Sequence, residues 1–175
     1  TSRGATRDNG WLDAISAAAG TRLAVSNGWR YGAPILPGDV TMEHLWNIVP
    51  TQAPISTVDL IGEELRTMLE ANLERTYSPD PYCQMGGFVK RCRGLNLYFK
   101  MENPKGHRIE DLLVNGAPID PGRIYRAAML GEQGVPKKFG SGRQEIGVDA
   151  IESLKQHFAR GRAVRGSRRG SVVAI

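Results

Sequence analysis

Gly28-Trp29-Arg30-Tyr31-Gly32 sets one guanidinium between two large aromatic residues and two glycines. A guanidinium presents a planar fork to carboxylates, phosphates and other oxyanions. Glycine lets backbone approach a ligand closely, and Trp29 and Tyr31 are large enough to wall a small pocket. The same residues also suit a structural turn in which Arg30 stacks on Trp29. A second stretch, Tyr77 to Phe88, mixes prolines, glycines and aromatics. Long ordered loops of this kind often carry binding residues, and Tyr82, Gly86, Gly87 and Phe88 are its candidates. The plainer alternative is a surface loop pinned down by Tyr82 and Phe88.

Other chemistries find less support. His44, His107 and His157 are far apart and have no neighbouring ligand motif, so no metal site is expected within the chain. Cys83 and Cys92 lack Cys-x-x-Cys spacing, and they could pair only if the loop between them folds back. With 175 residues, 41% apolar and 23% charged, the chain suits one globular domain. No apolar run approaches the ~20 residues of a membrane helix. The net charge of +5 owes much to Arg160, Arg162, Arg165, Arg168 and Arg169, which are spaced among Gly and Ser. That basic segment, 160–169, reads as a solvated arm, with an anion or nucleic-acid patch as the alternative. The lack of a zinc finger or an RNA-binding aromatic motif argues against a nucleic-acid partner.

The elements that must position the candidate residues follow from periodicity. Residues 1–7 are polar and expected to be flexible, and a single domain is expected over 8–175. Asp8 is expected to cap a helix burying Trp11, Leu12, Ile15, Ala18 and Ala19 and ending at Gly20. Leu23-Ala24-Val25 is a short core strand that delivers the chain to Arg30. Thr41 suits the N-cap of a helix through Val49, stopped by Pro50. Ile55–Leu60 alternates as a strand, and Gly62 opens a helix with Leu65, Met68, Leu69 and Leu73 on its core face. Leu95, Leu97, Phe99 and Met101 are expected to point inward along another strand, with a return strand over 108–114. Asn115-Gly116 signals a tight hairpin. A further strand runs from Ile124 towards Leu130. Residues 131–142 are expected to form a loop; Val148, Ile151, Leu154 and Phe158 recur at helical spacing; and 171–175 suits a closing strand. Helices and strands mix without regular βαβ alternation, which makes the class α+β.

The order of these features resembles the C-terminal domain of the 5′-nucleotidase family, two-domain metallophosphoesterases, over about residues 8–135. The matching pieces are Gly28-Trp29-Arg30, Gly38-Asp39-Val40-Thr41, Leu60-Ile61-Gly62-Glu63-Glu64-Leu65, Gly86-Gly87-Phe88 and Val114-Asn115-Gly116 with Ile119-Asp120-Pro121 and Tyr125. The fit is looser elsewhere. Asn27 is out of step with the family's motif asparagine. Neither Pro50-Thr51-Gln52 nor Met129 to Gly134 supplies an aromatic where the family sandwiches a base. Gly28-Trp29-Arg30-Tyr31-Gly32 and Asp80-Pro81-Tyr82-Cys83-Gln84-Met85-Gly86-Gly87 are more similar to the sulfur-oxidation thiosulfohydrolase branch of the same superfamily.

The resemblance implies a mixed sheet with packed helices that supplies substrate contacts to a hydrolase acting on nucleotides or related phosphoesters. A sulfur-linked anion is the alternative substrate, and a non-enzymatic anion-binding module the alternative role. It implies Arg30 as the anion-binding residue, with Gly28, Trp29, Tyr31, Tyr82, Gly86, Gly87 and Phe88 around it. Two divalent metal ions and the catalytic residues would sit in an N-terminal metallophosphoesterase domain of the same polypeptide. The Asp-x-His, Gly-Asp-x-x-Asp and Gly-Asn-His-Glu signatures of that domain are absent from this chain, so it is expected to be inactive alone. The chain opens on Thr1 without a signal-peptide pattern, as expected for a piece of a longer polypeptide, and a periplasmic or secreted location is implied by the family.

Overall fold

In a computed structural model of the chain, residues 6–27, 35–36, 38–85, 88–161 and 171–175 are described, with side chains from residue 9 onwards. The elements in chain order are α1 (Thr6–Ala19), β1 (Leu23–Ser26), α2 (Met42–Ile48), β2 (Pro54–Ile61), α3 (Gly62–Tyr77), β3 (Arg91–Arg93) and β4 (Leu95–Phe99). They continue with β5 (Ile109–Val114), β6 (Ala117–Pro118), β7 (Ile124–Leu130), α4 (Gly131–Gly134), β8 (Ser141–Asp149), α5 (Ala150–Ala159) and β9 (Val172–Ala174). The fold is α+β with two mixed sheets. One has strand order β3-β1-β7-β2-β8 and the other β6-β5-β4-β9.

Strand alternation divides the interior in two. Leu23 and Val25 on β1, Val58 and Leu60 on β2, and Ala127 and Met129 on β7 point to one face of the larger sheet. There they pack with Leu65, Met68, Leu69 and Leu73 of α3 and with Leu95, Leu97 and Phe99 of the smaller sheet. The α3 stripe is therefore core, as its spacing predicts. Ala24, Ile55 and Ala128 point the other way, onto Trp11, Leu12 and Ile15 of α1, Leu45 of α2, and Ile151 and Leu154 of α5.

Local chemistry accounts for several boundaries. Thr41 caps α2: its hydroxyl accepts from His44 N at 3.3 Å, while His44 Nδ1 accepts from Thr41 N at 3.1 Å. Gly20 ends α1 with φ 63°. Asn115 and Gly116 take φ 51° and 83°, the tight hairpin turn their types favour, and join β5 to β6.

Four expectations are corrected. The first helix starts at Thr6, so Asp8 lies within it and not at its N-cap. Met101 lies past the end of β4 in a turn and is 47% exposed. Residues 131–142 are not all loop: they hold α4 and the start of β8. Val148 belongs to β8, and α5 starts after it with Asp149 as N-cap, accepting from Glu152 N at 2.7 Å. β8 escapes a periodicity test because it is an edge strand, mostly solvated, with register shifts against β2.

Candidate functional site

β1 and β7 lie side by side and parallel, and β3 runs antiparallel on the far side of β1. The end of β1, the end of β7 and the start of β3 therefore fall at one edge of the larger sheet. Three segments leave or enter there: the stretch after Asn27 and the end of the Tyr77–Phe88 loop, both marked for function by the sequence, and the stretch after Leu130.

Their meeting point is Lys90, the residue before β3. Its Nζ donates to Asn27 Oδ1 at 2.9 Å and to the Gln133 carbonyl at 2.7 Å. Lys90 is only 5% exposed. Both acceptors are neutral, and among the described residues no carboxylate forms an ion pair with it. Burial lowers its pKa from 10.5 to about 8; Cys92 opposes that shift, and the Arg75 guanidinium adds a smaller push to it. The unfolded chain therefore binds more protons than the folded one between about pH 8 and pH 10.5. Stability rises with pH across that window, and the full cost of the buried charge is felt below it.

α3 fixes the segment that carries Lys90. Asn72 Oδ1 accepts from Lys90 N at 2.8 Å, and Asn72 Nδ2 donates to the Phe88 carbonyl at 3.4 Å. Earlier in the loop, Asp80 Oδ1 accepts from Tyr82 N at 2.9 Å and the Asp80 carbonyl accepts from Cys83 N at 3.0 Å. Gln84 Nε2 reaches the Ser78 carbonyl at 2.8 Å, and Met85 N the Arg75 carbonyl at 3.1 Å. The loop is thus held by polar turn bonds. Tyr82 and Phe88, expected as pins in the surface-loop alternative, are 97% and 50% exposed.

On the other side of the cluster, Arg143 of β8 braces residues 135–139. Its Nη1 donates to the Val135 carbonyl at 3.0 Å and its Nη2 to those of Pro136 and Phe139, each at 2.7 Å. Cavity space of about 420 Å³ lies at the opposite end of β3, beside Asp13, Arg93 and Gly94, away from the Lys90 cluster.

Of the predicted site residues, Gly28, Trp29, Arg30, Tyr31, Gly86 and Gly87 lie outside the described residues, as does most of the 160–169 basic segment. Asn27 and Phe88 flank the two undescribed stretches, and Lys90 brings those flanks together. Lys90, Asn72 and Gln133 were not singled out from sequence. Lys90 opens Lys90-Arg91-Cys92-Arg93, three of whose four residues are basic, which masks its burial in the fold.

Thiol chemistry is disfavoured. Cys83 and Cys92 are both free. Burial pushes Cys92 up to about 12, and the Asp80 carboxylate, hydrogen-bonded to Cys83, raises the exposed Cys83. Metal ligation also finds no donor set: no three His, Cys, Asp or Glu side chains among the described residues are grouped to hold an ion. His44 Nδ1 is already engaged in the α2 cap.

Asn72→Ala should lower stability by about 1–2 kcal/mol through the loss of both loop bonds. Hydrogen exchange should then accelerate at Lys90 N, whose partner is gone, and stay unchanged at β5 amides. Exchange at Lys90 equal to the parent's would show that Asn72 does not hold this segment.

The arrangement defines an α+β domain whose loops gather around a buried cation at one edge of a mixed sheet. The family model for the 5′-nucleotidase C-terminal domain matches residues 5–131. The chain belongs to that family. Trifunctional nucleotide phosphoesterase protein YfkN of Bacillus subtilis is 29% identical over 125 residues, 69% of this chain but 8% of that protein. Two Thermus thermophilus structures share the fold. The 5′-nucleotidase precursor superposes with TM-score 0.80 at 21% identity, covering 99% of this chain and 36% of its own. The sulfate thiohydrolase SoxB, solved with glycerol, does so with TM-score 0.82 at 28% identity, covering 97% and 32%. The chain thus spans about a third of each of these solved relatives.

Proposed function

We propose that this chain is the substrate-binding domain of a metal-dependent hydrolase that acts on nucleotides or related phosphoesters. Arg30 takes the substrate anion, Trp29 and Tyr31 shape the pocket, and Gly28, Gly86 and Gly87 allow close approach. Tyr82 and Phe88 offer exposed rings to the substrate or to the facing domain. The observation that carries this reading is the gathering of the three loop segments on Lys90 Nζ. It ties the residue before Gly28 to the strand that follows Gly86 and Gly87.

The described residues do not furnish a two-metal centre. The reading therefore assigns two divalent ions and the catalytic groups to an N-terminal metallophosphoesterase domain of the same polypeptide. When bound there, the metals would activate water and stabilise charge on the scissile group. This domain's part is to bind and orient the substrate. A periplasmic or secreted location goes with that reading. Among the described residues, no helix is long and apolar enough to cross a membrane.

A second reading changes the substrate to a sulfur-linked anion, such as a cysteine S-thiosulfonate on a carrier protein. It is favoured by the Asp80 to Gly87 sequence, by the 28% identity to the sulfate thiohydrolase, and by the missing aromatics at 50–52 and 129–134. The full polypeptide from the source gene, supplied with divalent metal, should release phosphate from a nucleoside monophosphate. It should leave a peptide S-thiosulfonate intact. The reverse preference would establish the second reading, and no turnover of either would remove both.

A further inference from the structure

Three asparagines whose carboxamides have no hydrogen-bond partner among the described residues line one cavity: Asn9 of α1, Asn96 of β4 and Asn115 in the β5–β6 turn. The cavity, about 420 Å³, lies where α1, the β3–β4 junction and that turn meet, and its size is usual for a small-molecule site. Arg108 Nη1 is the one buried side-chain nitrogen or oxygen without a partner among the described residues. The three carboxamides are therefore not sealed in the interior, and a ligand can reach them.

The walls are pinned before any ligand arrives. Asn115 N donates to the Gly94 carbonyl at 2.9 Å, which ties the hairpin turn to the β3–β4 junction. Gly94 takes φ 73°, and a Cβ there would lie 2.3 Å from the Arg22 carbonyl oxygen, so the junction sits tight against the start of β1. At the rim, Leu97 N holds the Ser171 carbonyl at 2.8 Å. The lining chemistry is selective. Leu12, Cys92 and Leu95 are buried and form an apolar floor. The two charged residues, Asp13 and Arg93, pair with each other, and Arg93 Nη1 also donates to Ser16 Oγ at 3.0 Å. That committed pair leaves the lining neutral overall and favours neither an anion nor a cation. No Phe, Tyr or Trp lines the cavity, so a flat base finds no stacking face. A carboxamide both donates and accepts, and so does a hydroxyl. A sugar ring carries hydroxyls around its edge and C–H groups on its faces, and the latter suit an apolar floor.

We propose that this cavity binds a neutral saccharide, whose hydroxyls exchange hydrogen bonds with Asn9, Asn96 and Asn115 while a C–H face rests on Leu12 and Leu95. The proposal does not rest on the reading of the Gly28–Gly32 loop as an anion-binding segment. The test follows the amide signals of the isotope-labelled full chain by NMR while glucose, N-acetylglucosamine and ribose are titrated in separately. At least one of them should shift the side-chain amide signals of Asn9, Asn96 and Asn115, with a dissociation constant of about 1–10 mM. Asn96 alternates with the buried Leu95 and Leu97 and so lies on the outer face of β4. Asn96→Ala should therefore fold and bind that sugar about three- to tenfold more weakly. Asn96→Trp, which fills the cavity, should abolish binding. Should that variant fail to fold, the parent titration and Asn96→Ala decide alone. Sulfate and adenine should leave the three side-chain signals unmoved. The proposal is overturned if none of the three sugars shifts these signals, if Asn96→Ala binds as tightly as the parent, or if sulfate or adenine moves them and the sugars do not. Release of phosphate by the full polypeptide is a separate measurement, so either reading can fail without the other.

Discussion

On the proposed reading, Arg30→Ala in the full polypeptide is expected to lower kcat/KM about 100-fold and to leave the melting temperature within about 2 °C of the parent. The kinetic part follows from what a guanidinium does for an oxyanion. It supplies two parallel charge-assisted hydrogen bonds in fixed geometry, and alanine leaves neither charge nor donor. A loss of about 100-fold corresponds to about 2.7 kcal/mol of transition-state stabilisation. The stability part follows from where the structure places its core. Among the described residues, Trp11, Leu23, Val58, Leu69, Phe99 and Leu154 lie in the two apolar interiors. The loop's incoming end is held at Asn27 by Lys90 Nζ. The measurement is steady-state kinetics of parent and variant on the substrate the parent turns over, with thermal unfolding of both. Kinetics within threefold of the parent would remove Arg30 from the site. A large fall in melting temperature with unchanged kinetics would establish the structural alternative, stacking on Trp29.

How much of this was legible depends on whether a residue's partner is local. The α2 cap, the Asn115-Gly116 hairpin, the apolar stripe of α3 and the buried face of β4 all rest on contacts within a few positions or on a simple period. Sequence spacing finds them. Glu70 is the opposite case. It lies on α3 between Arg66 and Glu74, a polar series at helical spacing that looks solvated. In the fold the turn before β5 covers it. Its carboxylate accepts from Arg108 N at 2.6 Å and Ile109 N at 3.0 Å, while Glu74 pairs with Arg108 at 3.0 Å and Arg66 donates to the Ile109 carbonyl at 2.9 Å. Only the long-range pairing reveals that role.

The candidate site divides in the same way. The glycine- and aromatic-rich segments announce themselves by composition, but the cation that joins their ends does not. Lys90 becomes buried because β3 pairs with β1, setting Ser26 opposite Arg91, and because β7 delivers Gln133 alongside. Neither pairing can be read from Lys90-Arg91-Cys92-Arg93 itself. β8 was missed for a related reason. At an edge, with Gly142 and Gly147 at φ 59° and 72°, it carries no alternation to detect.

The glycine of Leu60-Ile61-Gly62-Glu63-Glu64-Leu65 shows how two distant motifs become one contact, and its replacement is expected to be severe. Gly62 opens α3, where Gly62 N donates to the Arg123 carbonyl at 2.9 Å and Glu63 N to the Pro121 carbonyl at 3.0 Å. The first turn of the helix is thereby docked on the Asp120-Pro121-Gly122 turn. A Cβ on Gly62 would lie 2.1 Å from the Asp120 carbonyl oxygen and 3.1 Å from Pro121 Cα. Those are backbone atoms, so no side-chain rotation relieves the overlap. The helix start and the turn must separate by about an ångström, which breaks the two bonds between them. The gain from alanine's better helix propensity is at most about 1 kcal/mol and does not offset this. Gly62→Ala is expected to cost about 3 kcal/mol net, a fall of about 6–12 °C in melting temperature for a chain of this size. Gly122→Ala is the control from the same turn. Its Cβ would come no closer than 3.7 Å to the Asp120 side chain, and its cost should stay below about 1 kcal/mol. The damage should also spread to the site, because this turn sets α3, which carries Asn72, against β7, which leads to Gln133. Amide exchange at Lys90 should therefore quicken in Gly62→Ala and not in Gly122→Ala. Equal melting temperatures for the two variants would mean that the turn yields freely, and that the glycine is not what couples α3 to β7.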